Sequence, residues 1–391
     1  MKRFSGSFAP IALAATIAAC AGASGTTRGP RVPSGFDIQT IAHVPHAREL
    51  AALPNGDLLI ATSGTDVVLL PLSRGSARPA TFATVDDPPV SGIAFSSTQH
   101  AIYLGGRNGV YRVPYRNGDE RATATPQLVA HVRTGPVAAN SDGDDHVTTS
   151  VAFSDATGSL WVSIGSSCNA CVEVDPTRAA IQERRADGRL VATRGKRIRN
   201  GIALTADPVS GRVWVGDAGQ DGLPAGHPYE FLDDASAHAG LADYGWPNCE
   251  EDRVAYAAGA SCANVVVPLV EFPAYATLVG ATFYPLHPGG RYAFPARYRG
   301  GIFVTRHGSW HTPNGCAVAP EVDFVPMHGD APATPVDWND PTKQWQPFVS
   351  GYQPGCGASS RIGRPTGVSV GIDGSLFVAD DATGAIDRIR P

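Results

Sequence analysis

The stretch Ser150-Val-Ala-Phe-Ser-Asp-Ala-Thr-Gly-Ser-Leu-Trp-Val-Ser163 holds two short apolar runs separated by an Asp/Gly-containing turn. Val, Phe and Trp fit a pleated, half-buried surface, so each run predicts a strand. The plan recurs. Glu49 to Thr62 is folded about Asn55-Gly56-Asp57, a hairpin-type turn signal. Ser91–Phe95 leads to Ala101–Leu104, Gly201–Leu204 to Arg212–Val215, Gly280–Tyr284 to Gly301–Val304, and Thr366–Val370 to Gly374–Val378. Helical periodicity is nearly absent. Six copies at a spacing typical of propeller blades, with longer insertions after the fourth and before the sixth, predict an all-β, six-bladed β-propeller over residues 36–391. A pair of β-sandwiches is the alternative. Phe36 to Val44 would supply a strand that closes the ring with the last blade, removing the open edges such sheets must otherwise protect. Trp161 and Trp214 occupy equivalent strand positions and are expected in the core.

Composition agrees with a turn-rich globular chain. Gly (44) and Pro (32) are about 19% of 391 residues, against a usual share of roughly 12%. The apolar fraction is 43%, ample for a large core, and only 17% of residues are charged. A formal net charge of −5 argues against a general nucleic-acid binder, which needs a basic surface.

Residues 1–20 have the plan of an export signal: Lys2 and Arg3, then an apolar run from Phe8 to Ala19 too short for a permanent span. Ile17-Ala18-Ala19-Cys20 is lipobox-like, which makes Cys20 a candidate lipid anchor. Residues 21–35 read as a flexible linker. These features predict an exported protein, periplasmic or held at the outer membrane as a lipoprotein. Removing Cys20 leaves six cysteines, an even number suited to an oxidising compartment. Proximity suggests Cys168–Cys171 and Cys249–Cys262, and Cys316–Cys356 follows by elimination, one of fifteen possible schemes. A metal site on Cys168/Cys171 is the rival, although no second close pair completes it.

In a propeller the inner strands begin at the central channel. Residues just ahead of each inner strand therefore share one rim. Those positions hold Arg48, His146, Arg199-Asn200 and Arg364, with His307 to Trp310 following the fifth unit. Cations, an imidazole and an aromatic ring in one place suit a planar polyanion beside a group that loses a proton. Each residue has a plain alternative: a surface His146 beside the acidic run Asp142–Asp145, a blade-capping Trp310, solvated arginines. The basic run Arg184, Arg185, Arg189, Arg194, Lys196 and Arg197 reads as solvated outer strands, or as a positive approach for an anionic cofactor. No nucleophile elbow and no nucleotide-binding GxGxxG after a strand is found.

Taken together, His146 with the Ser150 strand, Gly165-Ser-Ser-Cys-Asn169, Arg199-Asn200, Tyr244-Gly-Trp-Pro247, Phe294-Pro-Ala-Arg-Tyr-Arg-Gly-Gly301, His307-Gly-Ser-Trp310 and Gly363-Arg-Pro-Thr-Gly-Val368 resemble the soluble quinoprotein glucose/sorbosone dehydrogenases. The match is closer to the sorbosone-dehydrogenase-like branch. The resemblance implies a pyrroloquinoline quinone (PQQ) cofactor, Ca²⁺, a small-molecule sugar substrate and an external electron acceptor, a cytochrome or a quinone. It makes His146 the catalytic base and places Arg199 at the reactive carbonyl. Asn200 and Arg364 become cofactor contacts, with His307 and Trp310 nearby and Arg48 beside them on the rim. Gly219 and Gln220 align with positions whose backbone carbonyls hold calcium, Gln220 replacing a frequent Pro.

Two positions depart from the glucose enzymes of the family. Ser166 follows Gly165 where they carry an acid that contacts the sugar, and no lysine falls between Val304 and Trp310. A catalytically inactive propeller that binds a glycan or protein partner is therefore the second reading. A calcium-dependent hydrolase ranks third, because the rim presents Arg and His instead of several carboxylates.

Overall fold

A computed structural model describes residues 29–391 except 139–144, 224–225, 251 and 311–314. The expected leader, Cys20 and the acidic run up to Asp144 lie outside the described residues. Among the described residues there is no α-helix, only strands and three short 3₁₀ turns.

Six sheets form the wheel. Blade one runs Ala47–Ala52, Leu58–Thr62, Asp66–Leu70 and Ala80–Thr84 from the axis outward. Blade two runs Gly92–Ser96, Ala101–Gly105, Gly109–Pro114 and Gln127–His131. Blade three is Thr149–Ser154, Ser159–Ile164, Ala180–Arg185 and Leu190–Lys196, extended by a short parallel strand, Ala242–Asp243. Blade four is Gly201–Ala206, Val213–Asp217, Glu230–Asp234 and Val270–Phe272. Blade five is Leu278–Phe283, Ile302–Arg306, Glu321–Val325 and Gln346–Val349. Blade six is Pro365–Val370, Leu376–Asp380 and Ala385–Arg390, and its outer strand is Asp37–His43 from the other end of the chain. The ring is thus closed by the strand that the apolar residues Phe36 to Val44 predict.

The six repeated strand pairs are the two innermost strands of each blade, buried on both faces and hence continuously apolar. The largest core clusters each draw on two neighbouring blades. Trp161 packs with Val213, Val215 and Phe231, and Trp214 packs with Leu278 and Val304. Their relative exposures of 4% and 1% put both in the core. The N-terminal segment is docked before residue 35. Arg31 and Ser350 exchange backbone hydrogen bonds of 2.7 and 2.9 Å, and Val32 and Phe36 pack on the blade five–six core.

Disulfides join Cys168–Cys171, Cys249–Cys262 and Cys316–Cys356, so the first pair is a cross-link and not a metal site. The basic run lies on the outer strands of blade three. Arg194 pairs with Glu183, Arg197 with Asp243, and Arg184 is buried against Gln182 and the Gly188 carbonyl. A central cavity of about 210 Å³ is lined by inner-strand residues of all six blades, among them Glu49, Phe95, Ser150, Ile202, Thr282 and Ser369.

Candidate active site

Antiparallel pairing fixes where the rim residues sit. Thr149 pairs with Ile164, Gly201 with Asp217, Leu278 with Arg306, and Pro365 with Asp380. Each inner strand therefore enters at the rim where its partner leaves. Two sets of residues share that rim. Arg48, His146, Arg199, Asn200 and Arg364 belong to the entering set. Ser166, Gly219, Gln220, His307 and Asp381 belong to the leaving set. Side-chain contacts gather them into two clusters, one on blades three and four and one on blades five, six and one.

The first cluster is built around Gly165. A methyl group there would lie 2.5 Å from His146 Cβ and 2.6 Å from Asn200 Oδ1, so the bare Cα is what lets both side chains pack against this position. His146 Nδ1 is 2.8 Å from Ser166 Oγ and 3.1 Å from the Ser166 carbonyl. The Ser166 hydroxyl donates its one proton to the Cys168 carbonyl at 2.7 Å. Both oxygens can then only accept from Nδ1. The neutral imidazole carries its proton on Nδ1 and its basic lone pair on Nε2. Arg133 fastens the backbone beneath, donating to the carbonyls of His146 (3.0 Å), Thr148 (2.6 Å) and Arg107.

Arg199 is buried, and four of its five N–H groups have acceptors among the described residues. Nε donates to the Asn169 carbonyl (3.1 Å) and Nη1 to the Ala218 carbonyl (2.9 Å). Nη2 donates to Asn169 Oδ1 (2.9 Å) and to Asp221 Oδ2 (3.1 Å). One Nη1–H is left for a ligand. The Asn200 backbone N–H donates to Asp217 at 2.7 Å.

The second cluster centres on Asp381. Arg48 donates to it at 2.9 Å and His307 Nε2 at 3.0 Å. Burial holds the His307 imidazole down at about 4, against the upward pull of Asp381, so His307 is neutral at pH 7. Arg364 donates to the His307 and Gly308 carbonyls and lies 4.9 Å over the Trp310 ring. Burial above all brings the Arg364 guanidinium down to about 10, with Asp381 pulling it up and the nearby Arg361 and Arg48 charges adding to the fall. Trp310 is 74% exposed and caps no blade.

This arrangement fits the two groups that the resemblance implies. Two guanidiniums, Arg48 and Arg364, beside the one carboxylate of Asp381 leave excess positive charge for a polycarboxylate. Gln220 Oε1 is shielded from solvent and accepts no hydrogen bond from the described residues. It borders a cavity of about 10 Å³ shared with Gly219 and Asp217, about one water in size. The Gly219 N–H donates to Glu230 at 3.0 Å, and burial with the Asp217 charge pushes Glu230 up to about 8. Oxygen donors above buried acids suit a hard divalent cation.

Sequence reading missed four members of the site. Ser166 and Asn169 lie in a quoted motif without a role, Ser166 being noted only as a departure from the acid of the glucose enzymes and not as the partner of His146. Asp381 and Arg361 were passed over. The second-strand ends supply the signal that finds Ser166 and Asp381, since they share the rim with the inner-strand starts.

The model of the TrAA12-like family matches residues 30–252, more than half of the chain. Among solved structures, the calcium structure of the Trichoderma reesei carbohydrate-active enzyme of family AA12 is 20% identical, with a TM-score of 0.75. The alignment covers 93% of this chain and 98% of that one. The holo PQQ domain of Coprinopsis cinerea pyranose dehydrogenase is 16% identical over the same shares, with a TM-score of 0.74. The apo soluble aldose sugar dehydrogenase of Escherichia coli is 14% identical over 91% of this chain and 99% of that one, with a TM-score of 0.60. A curated relative, an uncharacterized protein of Borreliella burgdorferi, is 24% identical over 200 residues, spanning 49% of this chain and 47% of the relative. The three solved structures share the fold of this chain, and by the family match the chain belongs to the TrAA12-like family.

Proposed function

We propose that the chain is an exported quinoprotein oxidoreductase that oxidises a CH–OH group of an aldose or related sugar, with PQQ and Ca²⁺ as cofactors. The observation that carries this reading is His146. Its Nδ1 is tied to Ser166, which assigns the proton to Nδ1 and the basic lone pair to Nε2, on the same rim as Asn200 and the arginine cluster. Family membership, and the sugar dehydrogenases among the structural neighbours, support the same reading. The three disulfides support an oxidising compartment.

Arg48, Arg361 and Arg364 would hold the carboxylates of the quinone, and Gly219 and Gln220 would offer oxygens to the cation. When bound, the pair supplies an electrophilic carbonyl that accepts two electrons and is polarised by a Lewis acid. His146 takes the hydroxyl proton at Nε2 as the adjacent C–H bond gives up its hydride, leaving a carbonyl or lactone product. Arg199 directs one Nη1–H at an oxygen that gains charge, a preorganised contact often worth a few kcal/mol. An external acceptor, a cytochrome or a quinone, would take the two electrons.

The test is reconstitution of the purified chain with PQQ and Ca²⁺, followed by absorbance titration and dye reduction over a panel of sugars. Micromolar or tighter quinone binding with turnover is expected. His146→Gln should lower turnover about 10²–10⁴-fold with quinone affinity nearly unchanged. Absence of quinone binding at micromolar concentration would end this reading. It would favour a propeller that binds a glycan or protein without turnover, a reading to which the existing Arg48–Asp381 and Arg199–Asp221 pairs already lend weight.

A further inference from the structure

The loop from Ser166 to Cys171 touches both reacting side chains. Ser166 meets His146, and Asn169 meets Arg199. Asn169 uses both its main-chain carbonyl and its side-chain amide. The carbonyl accepts from Arg199 Nε at 3.1 Å and from Trp246 Nε1 at 3.0 Å. Oδ1 accepts from Arg199 Nη2 at 2.9 Å and from the Asp221 backbone N–H at 2.8 Å. Nδ2 donates to the Asp221 carbonyl at 2.9 Å. The half-cystines on either side, Cys168 and Cys171, are both buried and joined to each other.

A guanidinium held at Nε and Nη2 by one residue has a fixed plane. The Ala218 carbonyl then takes one of the two Nη1 protons, so the plane fixes where the other points. We propose that Asn169 is a positioning residue. It sets the plane of the Arg199 guanidinium, and the Cys168–Cys171 cross-link holds Asn169 in place. The same short loop thereby keeps the base and the cation in register. This rests on the reading of Arg199 as the cation at the reacting carbonyl, while the geometric part is measurable without any quinone.

The experiment uses the full chain and four forms: wild type, Asn169→Ala, Asn169→Asp, and the pair Cys168→Ala with Cys171→Ala. Without quinone, each is labelled with an arginine-specific dicarbonyl and digested, and the peptide carrying Arg199 is quantified by mass spectrometry. Asn169→Ala should raise Arg199 labelling tenfold or more. The cysteine pair should raise it too, and it serves as the loosened-loop variant should Asn169→Ala fail to fold. Asn169→Asp keeps two oxygens facing Arg199 and should label nearly as slowly as wild type.

With PQQ and Ca²⁺ present, Asn169→Ala should lower kcat at least tenfold with KM within about threefold, and Asn169→Asp should recover most of that loss. Equal labelling in wild type and Asn169→Ala, or a kcat that falls only in proportion to the unfolded fraction, overturns the proposal. Labelling that changes as expected in a wild-type chain that binds no quinone leaves the clamp standing and removes the enzymatic reading alone.

Discussion

A methyl group on Gly165 would sit 2.5 Å from the Cβ of His146, inside any separation that two carbons tolerate. The backbone must therefore shift in Gly165→Ala, and His146 and Asn200 are pushed away from Gly165. Overpacking of this kind costs about 1–3 kcal/mol. We expect a drop in Tm of several degrees and a loss of turnover of tenfold or more, measured on the same preparation by calorimetry and dye reduction. Unchanged turnover would show that the packing of His146 and Asn200 against Gly165 has no catalytic role.

Ser166 is the acceptor that fixes the His146 tautomer, and it reaches His146 through both its hydroxyl and its carbonyl. Ser166→Ala removes only the first. The carbonyl still favours the proton on Nδ1, so the expected loss in kcat is partial, about tenfold, with KM nearly unchanged. A loss as large as that of His146→Gln would mean that the hydroxyl has a direct part in proton transfer.

Arg133 binds three main-chain carbonyls and the Thr149 hydroxyl, and is itself buried. Arg133→Met leaves several acceptors without a donor, and each buried unsatisfied group costs about 1–3 kcal/mol. Lysine has no planar fork and cannot span the same set. Denaturant unfolding should show both variants destabilised by ~3 kcal/mol or more, with Arg133→Lys no better than midway between Arg133→Met and wild type.

Glu49 lines the central channel with Oε1 shielded and without a hydrogen-bond donor among the described residues. Burial pushes its carboxyl from 4.5 up to about 8, against the pull of Arg48. The folded chain thus holds a proton that the unfolded chain has released between those values. Folding stability from this group falls as pH rises through that window, by at most ~1.4 kcal/mol per pH unit. Glu49→Gln should match wild type near pH 4 and exceed it in Tm by a growing margin up to pH 8. Parallel Tm curves for the two proteins across that range would show that Glu49 is ionised in the fold.

The sequence by itself determined the wheel. Runs such as Ser150–Phe153 and Ser159–Ser163 are buried on both faces, so their apolar character is continuous and repeats with each blade. Turn residues mark the hairpins locally, the Phe36–Val44 pattern supplies the closing strand, and cysteine spacing suggests the cross-links. Topology alone then brings the rim residues to one end. What only the tertiary structure decided is how each polar group is used. Arg48 and Asp381 are 333 residues apart, and Arg199 meets Asn169 across 30 residues and two blades. Strand burial is written locally, in short runs of consecutive apolar residues, whereas a hydrogen-bond partner is chosen by distances of a few tenths of an ångström between segments remote in the chain. Hence Ser166 became the orienting partner of His146, and among the described residues Arg199 keeps a single N–H without an acceptor.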